Sequence, residues 1–221
     1  GEPGLTAAAL VPKGSVTVTD LSERMLVVAA ENAARRGLTN FKTEIADAGA
    51  LPFADASFDA VLCRFGLMFV PDAAQAVREL ARVAKPGARV SAAVWLGPDK
   101  NPWASLIMGT IARHVEMPAP PAGSPGLFRC APAGLMRVTF AEAGLRDVSE
   151  DEISTPMRHP SPERYWEVMT DIAAPVVAGL AKATEAQRAA IRTEVLDLVR
   201  KHMRDGAVEL QSTALVITGT R

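Results

Sequence analysis

Cysteine is scarce: Cys63 and Cys130 are the only two in 221 residues. They are far apart and lack the close-spaced Cys and His partners of a structural zinc site, so no metal is expected and a reduced, cytoplasmic chain is the default. Net charge is nearly absent too, with 24 Lys plus Arg against 25 Asp plus Glu. Such a balance lacks the basic excess that phosphate neutralisation and counterion release require, and nucleic acid is not the expected partner. Long apolar runs are missing. Residues 172–181 (IAAPVVAGLA) are interrupted by Pro175 and fall well short of the ~20 residues of a membrane span. No signal peptide is visible.

What is present is a chain that is 48% hydrophobic, long enough for one domain with a sizeable core, or one core plus a small cap, at the usual ~100 to 200 residues per domain. Residues 1 to about 96 alternate strand-like and helix-like patterns, the signature of an α/β fold with a parallel sheet. Leu5 to Val11 reads as a short helix, and Ser15 to Thr19 as a strand ending in Asp20. Ser22 is a good N-cap for a helix with Met25, Val28, Ala29 and Ala33 on one apolar stripe and Gly37 at its end. Strands follow at 41–46, 58–63 and 88–95, with a helix at 73–84 stopped by Lys85-Pro86-Gly87.

After Trp95 the rhythm changes. Residues 101–116 read as helix, and 118–126 (PAPPAGSPG) as an insertion boundary. A helix at 131–143, a strand near 147–153, helices at 161–177 and 184–202 and a last strand at 208–220 complete the chain. The expected organisation is a cofactor-binding core at 1–96, a helical cap at 97–206 that includes the strand near 147–153, and a final core strand at 207–221. Because that strand follows the helices at once, through Asp205-Gly206, it is expected to enter the sheet antiparallel.

Three constellations carry chemistry. Asp20 ends a strand that follows a glycine-bearing segment. In doubly wound sheets ligands sit outside the carboxyl ends of the strands, where a carboxylate can accept hydrogen bonds from ribose hydroxyls. An ordinary strand-end Asp before a capped helix explains it equally well. Asp47 follows the next strand and is expected on the same rim, within reach of an adenine amine whose ring Met25 would cover. A turn-capping Asp47 and a core Met25 are the bland alternatives. The third is the ordered run Leu51 to Val61, Phe65 to Asp72 and Leu80 to Gly87, whose pieces are ordinary and whose order and spacing are not.

On these residues the sequence resembles the class I S-adenosylmethionine-dependent methyltransferases, particularly the small-molecule branch that includes the ubiquinone and menaquinone C-methyltransferases. Gly1-Glu2-Pro3-Gly4 is similar to the tail of the family's glycine-rich first motif, Gly1 matching its last glycine. The resemblance implies a Rossmann-like fold with a mainly parallel sheet, an antiparallel last strand and an inserted helical cap. It implies S-adenosylmethionine as cofactor, with Asp20 and its neighbour Leu21 at the ribose, Asp47 and Ala48 near the adenine amine, Met25 over the ring, and Arg64-Phe65 bordering the methionine moiety. Lys85-Pro86-Gly87 matches the turn before the family's fifth strand. The family's first strand and first two glycines are not in this sequence, which opens without Met and reads as a cut edge. That strand belongs between those ending at Asp20 and Cys63. Without it the fragment is expected to fold poorly, to pair with another chain, or to bring the two flanking strands together, and to hold the cofactor weakly.

A sulfonium methyl is already electrophilic, so such an enzyme mainly orients an acceptor and excludes water. The catalytic residues are left unknown. His114, His159 and His202 are candidates only if the acceptor must lose a proton, and surface or capping roles are favoured for each. Tyr165 and Trp166 line an acceptor pocket or pack a core. Met108, Met117, Met136, Met157 and Met169 suggest a helical lid over a mostly apolar small acceptor. A homodimer is left open. Two other readings are carried: a catalytically impaired methyltransferase-like binding module, and a nicotinamide-dependent oxidoreductase, which the absence of a complete Gly-x-Gly-x-x-Gly disfavours.

Overall fold

The computed structural model describes residues 1–116, 121 and 123–221. Part of the 118–126 segment and Met117 therefore lie outside the described residues. The chain forms α1 (Gly4–Leu10), β1 (Val16–Asp20), α2 (Glu23–Arg35), β2 (Phe41–Ile45), β3 (Phe58–Arg64), α3 (Ala73–Val83) and β4 (Ala84–Trp95). It continues with α4 (Pro102–His114), α5 (Leu135–Glu142), β5 (Arg146–His159), α6 (Pro162–Ile172), α7 (Ala174–Ala181) and α8 (Glu185–Arg200). A hairpin of β6 (Met203–Arg204) and β7 (Ala207–Thr220) ends it.

Two compact units are present. The first comprises Gly1–Val94, Pro125–Asp151 and Val216–Arg221, and the second Trp95–Ser124 and Glu152–Leu215. Pairing in the first unit is parallel where βα repeats make it so: β1 beside β2, with Asp20 opposite Ile45, and β3 beside β4, with Arg64 opposite Ala93. The strand order is β3-β4-β7-β5, with β6 against β7. β7 runs antiparallel to β4, since Arg221 N–H donates to Ala88 O while the Ser91 hydroxyl meets Thr218 three residues further back. The result is the expected α/β architecture with a mainly parallel arrangement and an antiparallel last strand.

The sheet is in two pieces. β1 and β2 form a two-stranded sheet of their own, and β3 is an edge of the larger one. No strand lies between β1 and β3 among the described residues, and the expected alternative in which these two close up is not adopted. The cost shows on β3. Its apolar run reads as a strand buried on both faces, yet Leu62 is 51% exposed.

Helix signals are obeyed locally. The Ser22 side chain accepts from Met25 N, Asp72 caps α3 through Gln75 N, and Thr184 with Gln187 forms a capping box on α8. α2 differs from its expected stripe, burying Leu26, Ala29 and Ala33 while Met25 and Val28 stay exposed. A glycine makes the next contact possible: a Cβ on Gly4 would lie 2.2 Å from Val18 Cγ2, so α1 packs onto β1 at backbone distance.

Lys85-Pro86-Gly87 is not a turn. β4 begins at Ala84, and its pairing with β3 advances from Phe58–Ala84 to Ala60–Arg89, so these residues bulge inside the strand. Gly87, at φ +83, donates its N–H to Arg221 O. The expected helix over 161–177 is broken at Ala173, where Pro175 in the next turn starts α7 instead. The expected helix over 131–143 begins only at Leu135, after Gly134 in a left-handed conformation.

The second unit has its own core, in which α4, α6, α7 and α8 bury Ile107, Ile111, Tyr165, Met169, Val176, Ile191, Val195 and Val199 against Val208 and Leu210 of β7. Met136 instead belongs to α5 of the first unit, fully buried. Met108 and Met169 therefore pack in the core of the second unit and Met136 in the first.

Candidate functional site

The strand ends of the first unit position the candidate residues. Asp20 is the exposed last residue of β1, and its Oδ1 accepts the Ser22 N–H at 2.8 Å. That bond turns the carboxylate over the N-terminus of α2. Its second oxygen has no hydrogen-bond partner among the described residues, which leaves an acceptor aimed at solvent on the rim. Leu21 follows it, 71% exposed.

Asp47 lies two residues beyond β2, on the same rim, because Asp20 and Ile45 are register partners. Its Oδ1 accepts Gly49 N–H at 2.8 Å, and its carbonyl accepts Ala50 N–H at 3.0 Å. The turn-capping reading is thus realised, and it holds Ala48 half-buried at the tip of the turn. Met25, in the first turn of α2, is 56% exposed, so it is not a core residue.

Arg64 and Phe65 end β3, on the other sheet. The guanidinium sits over the Phe65 ring, 5.5 Å from its centroid. Phe65 has φ +55 while its N–H donates to Ala93 O at 2.8 Å. A bulky residue in the left-handed region is strained, and such strain gathers at functional sites. The structure thus brings Asp20, Leu21, Asp47 and Ala48 to one rim and Arg64 with Phe65 to the end of a strand in a separate sheet. Gly1 is exposed, with its carbonyl accepting Leu5 N–H at 3.0 Å, and makes the first turn of α1.

The half-buried Cys63 thiol accepts the N–H groups of Gly66 and Leu67, and burial pushes its pKa up. The turn that follows is strapped by residues 126–129: Gly126 N–H donates to Met68 O at 3.0 Å, and Arg129 donates to the carbonyls of Val70 and, at 2.8 Å, Pro71.

The sequence reading missed a second fastening. Arg82 donates to Phe53 O at 2.7 Å, Leu51 O at 3.0 Å and Asp55 Oδ1 at 2.8 Å, clamping the loop between Asp47 and β3. Phe53 adds an edge-on contact with Phe58 at 5.0 Å. Glu79 and Arg82 at i, i+3 on a helix were the available signal, but that spacing alone points to a surface pair.

The histidines all lie in the second unit. His114 Nε2 is 2.7 Å from Glu194, which also pairs with Arg113. His159 meets Tyr165 edge-on at 5.4 Å, and burial followed by the nearby Arg164 charge lowers its pKa. His202 lies in the turn after α8, its carbonyl accepting Glu209 N–H. Tyr165 is fully buried and donates to Trp103 O at 2.8 Å, so it is a core residue. Trp166 is half-buried against the same core. Among the described residues no cluster of His, Cys, Asp and Glu could hold a metal, and no helix is long and apolar enough to cross a membrane.

Residues 1–92 match the methyltransferase domain family model. Those residues are thus similar to a methyltransferase domain, and the fold has the Rossmann-like topology of class I S-adenosylmethionine-dependent methyltransferases. It is 39% identical over 99 residues to the demethylmenaquinone methyltransferase of Listeria monocytogenes, a stretch covering 45% of this chain and 42% of that protein. The chain thus spans less than half the length of the curated relatives it matches. Its fold is similar to that of Bacillus subtilis YcgJ protein, at TM-score 0.60 and 21% identity, covering 98% of this chain and 86% of that one. It is also similar to Haemonchus contortus phosphoethanolamine N-methyltransferase 2 in complex with S-adenosyl-L-methionine, at TM-score 0.56 and 15% identity, covering 99% and 46%.

S-adenosylmethionine is the cofactor that goes with this methyltransferase family. The donor set fits its adenosine end: a solvent-facing carboxylate oxygen on Asp20 suits vicinal hydroxyls, and the close packing at Gly4 brings α1 onto the same strand. The family match favours the methyl donor over the nicotinamide reading.

Proposed function

We propose that this chain carries out methyl transfer from S-adenosylmethionine to a small, mostly apolar acceptor. The observation that carries the reading is the pair of carboxylates, Asp20 and Asp47, at the ends of two adjacent parallel strands, one of them held by Ser22 with an oxygen to spare. Asp20 accepts from the ribose hydroxyls with Leu21 beside it, Asp47 accepts from the adenine amine with Ala48 beside it, and Met25 lies over the ring. Arg64 and Phe65 border the methionine end. When bound, the cofactor supplies an electrophilic methyl, so the chain's own task is orientation and exclusion of water. The apolar acceptor is supported by the kinship with demethylmenaquinone methyltransferases.

Equilibrium dialysis with radiolabelled S-adenosylmethionine tests the reading. Binding that is lost in Asp20→Ala supports it, and binding indifferent to Asp20 and Asp47 removes both from the site. The separation of β1 from β3 favours a second reading, in which this chain alone holds the cofactor weakly and acts as a binding module. Tight binding and turnover by the 221-residue chain would overturn that second reading.

A further inference from the structure

β3, the loop that leaves it and residues 125–131 all belong to the first unit. Between Phe65 and Asp72, the cap of α3, the chain is fixed at nearly every step. Phe65 N–H donates to Ala93 O at 2.8 Å and Phe69 N–H to Gly66 O at 2.9 Å, while the side chains of Leu67 and Met68 are fully buried. The Arg64 guanidinium lies over the Phe65 ring, so these two side chains are placed together.

The rest of the fastening comes from residues 126–131. That segment is folded on itself, with Arg129 N–H donating to Gly126 O at 3.1 Å and Ala131 N–H to Phe128 O at 3.0 Å, and is pinned by Cys130, which is 1% exposed. From this base Gly126 N–H reaches the Met68 carbonyl, and the Arg129 guanidinium reaches two carbonyls in succession, those of Val70 and Pro71. Arg129 has no carboxylate partner among the described residues. Its charge is spent on backbone oxygens alone, through charge-assisted bonds whose fork geometry fixes one carbonyl relative to the next.

α3 has its own cap in Asp72 and its own buried face in Ala76, Val77, Leu80 and Ala81, so the helix stands without this strap. Ordering a loop also costs conformational entropy. What the fastening serves is Phe65, whose φ of +55 is a strained conformation that persists only where the surroundings over-determine it.

We propose that Arg129 is a positioning residue for the methionine end of the cofactor, acting through the 66–71 loop to hold Phe65 and Arg64 in place, an inference that rests on the methyl-transfer reading for the identity of the ligand. A loop held at both ends keeps the strained Phe65 in one arrangement before the ligand arrives, which lowers the ordering cost of binding.

Two nucleosides separate this role from a merely structural one. S-adenosylhomocysteine carries the amino-acid end and adenosine lacks it. By equilibrium dialysis of the radiolabelled compounds, Arg129→Ala is expected to weaken S-adenosylhomocysteine at least about tenfold and adenosine less than about twofold. Arg129→Lys, which keeps the charge but not the fork, is expected to recover part of the loss. In the ligand-free chain, hydrogen exchange of amides 65–69 is expected to quicken at least about tenfold in Arg129→Ala while that of β1 is unchanged. Equal loss for both nucleosides, no loss for either, or unchanged exchange at 65–69 overturns the proposal, the last because it would leave Arg129 acting on the ligand directly. Should Arg129→Ala unfold, Arg129→Lys decides by the same readings, with S-adenosylhomocysteine weakened at least about threefold and adenosine less than about twofold. Failure of the methyl-transfer reading looks different: Asp20→Ala then leaves both nucleosides unaffected, whereas under that reading it weakens both, since both carry the ribose. An intact chain that binds neither nucleoside overturns the reading and the proposal together.

Discussion

Arg82 grips both carboxylate oxygens of Glu79 on α3, with Nε 2.7 Å from Oε1 and Nη2 2.8 Å from Oε2. Glu79 in turn accepts Leu51 N–H at 2.8 Å, so the pair fastens the loop that follows Asp47. The Arg82 hydrogen bond, opposed by burial and helped by Leu51, holds the Glu79 carboxyl below its ordinary value of 4.5. Glu79→Ala is expected to cost about 1.5 to 3 kcal/mol by removing charge-assisted bonds from a largely buried site. Denaturant unfolding measures it. Because the folded-state value is lowered, the stabilisation is fully present above pH 4.5 and is lost as pH falls through the folded value.

Asp20→Ala is expected to weaken cofactor binding by about 1.5 to 3 kcal/mol for each charge-assisted hydrogen bond lost. Asp20→Asn keeps an acceptor and is expected to fall between. Titration calorimetry of the chain with S-adenosylhomocysteine distinguishes the three, and equal affinities would remove Asp20 from the ribose site.

Gly4→Ala places a methyl 2.2 Å from Val18 Cγ2. Overpacking of this kind costs about 1 to 3 kcal/mol. Adding Val18→Ala is expected to recover part of the loss, which a double-variant cycle by thermal unfolding reads directly. Additive losses would mean that α1 simply moves away.

His159 gives a second pH dependence. Burial, then the Arg164 charge, lowers its pKa below 6.5, so the unfolded chain binds the proton more readily than the folded one. Stability is therefore expected to fall as pH drops through 6.5 towards the folded value, with no further loss from this group below that value. The melting temperature of His159→Gln should lack this step between pH 7.5 and 5.

Hydrogen exchange is expected to divide the strands. β1 and β3 each have a sheet edge with no ladder, whereas β4 and β7 are paired on both sides. Amides of β1 and β3 should exchange faster than those of β4 and β7. Equal protection would mean that another segment covers the open edges.

The elements that read clearly in the sequence are those whose signals are local. Ser22, Asp72 and Thr184 cap the helices they precede, and the β-branched run before Asp20 is a strand. Met25 and Val28 misled because a helical stripe specifies a face only when it is known what lies against it, and α2 turns Leu26 inward instead. Lys85-Pro86-Gly87 has the composition of a turn, yet the bond from Gly87 to Arg221, more than a hundred residues on, keeps it within β4. Asp20 and Asp47 could be placed on one rim from strand order alone. The Arg82 clamp and the Arg129 strap could not, because each depends on backbone carbonyls brought near by tertiary structure.

The division of the sheet bears on the thermodynamics of any ligand that reaches from Asp20 to Phe65. Such a ligand touches two sheets that share no ladder, so it acts as a crosslink as well as an occupant. Ordering the protein then draws on the binding free energy, and the heat capacity change of binding should exceed what the ligand's own apolar surface accounts for. Affinity in this chain would report the rigidity of its scaffold as much as the chemistry of its rim.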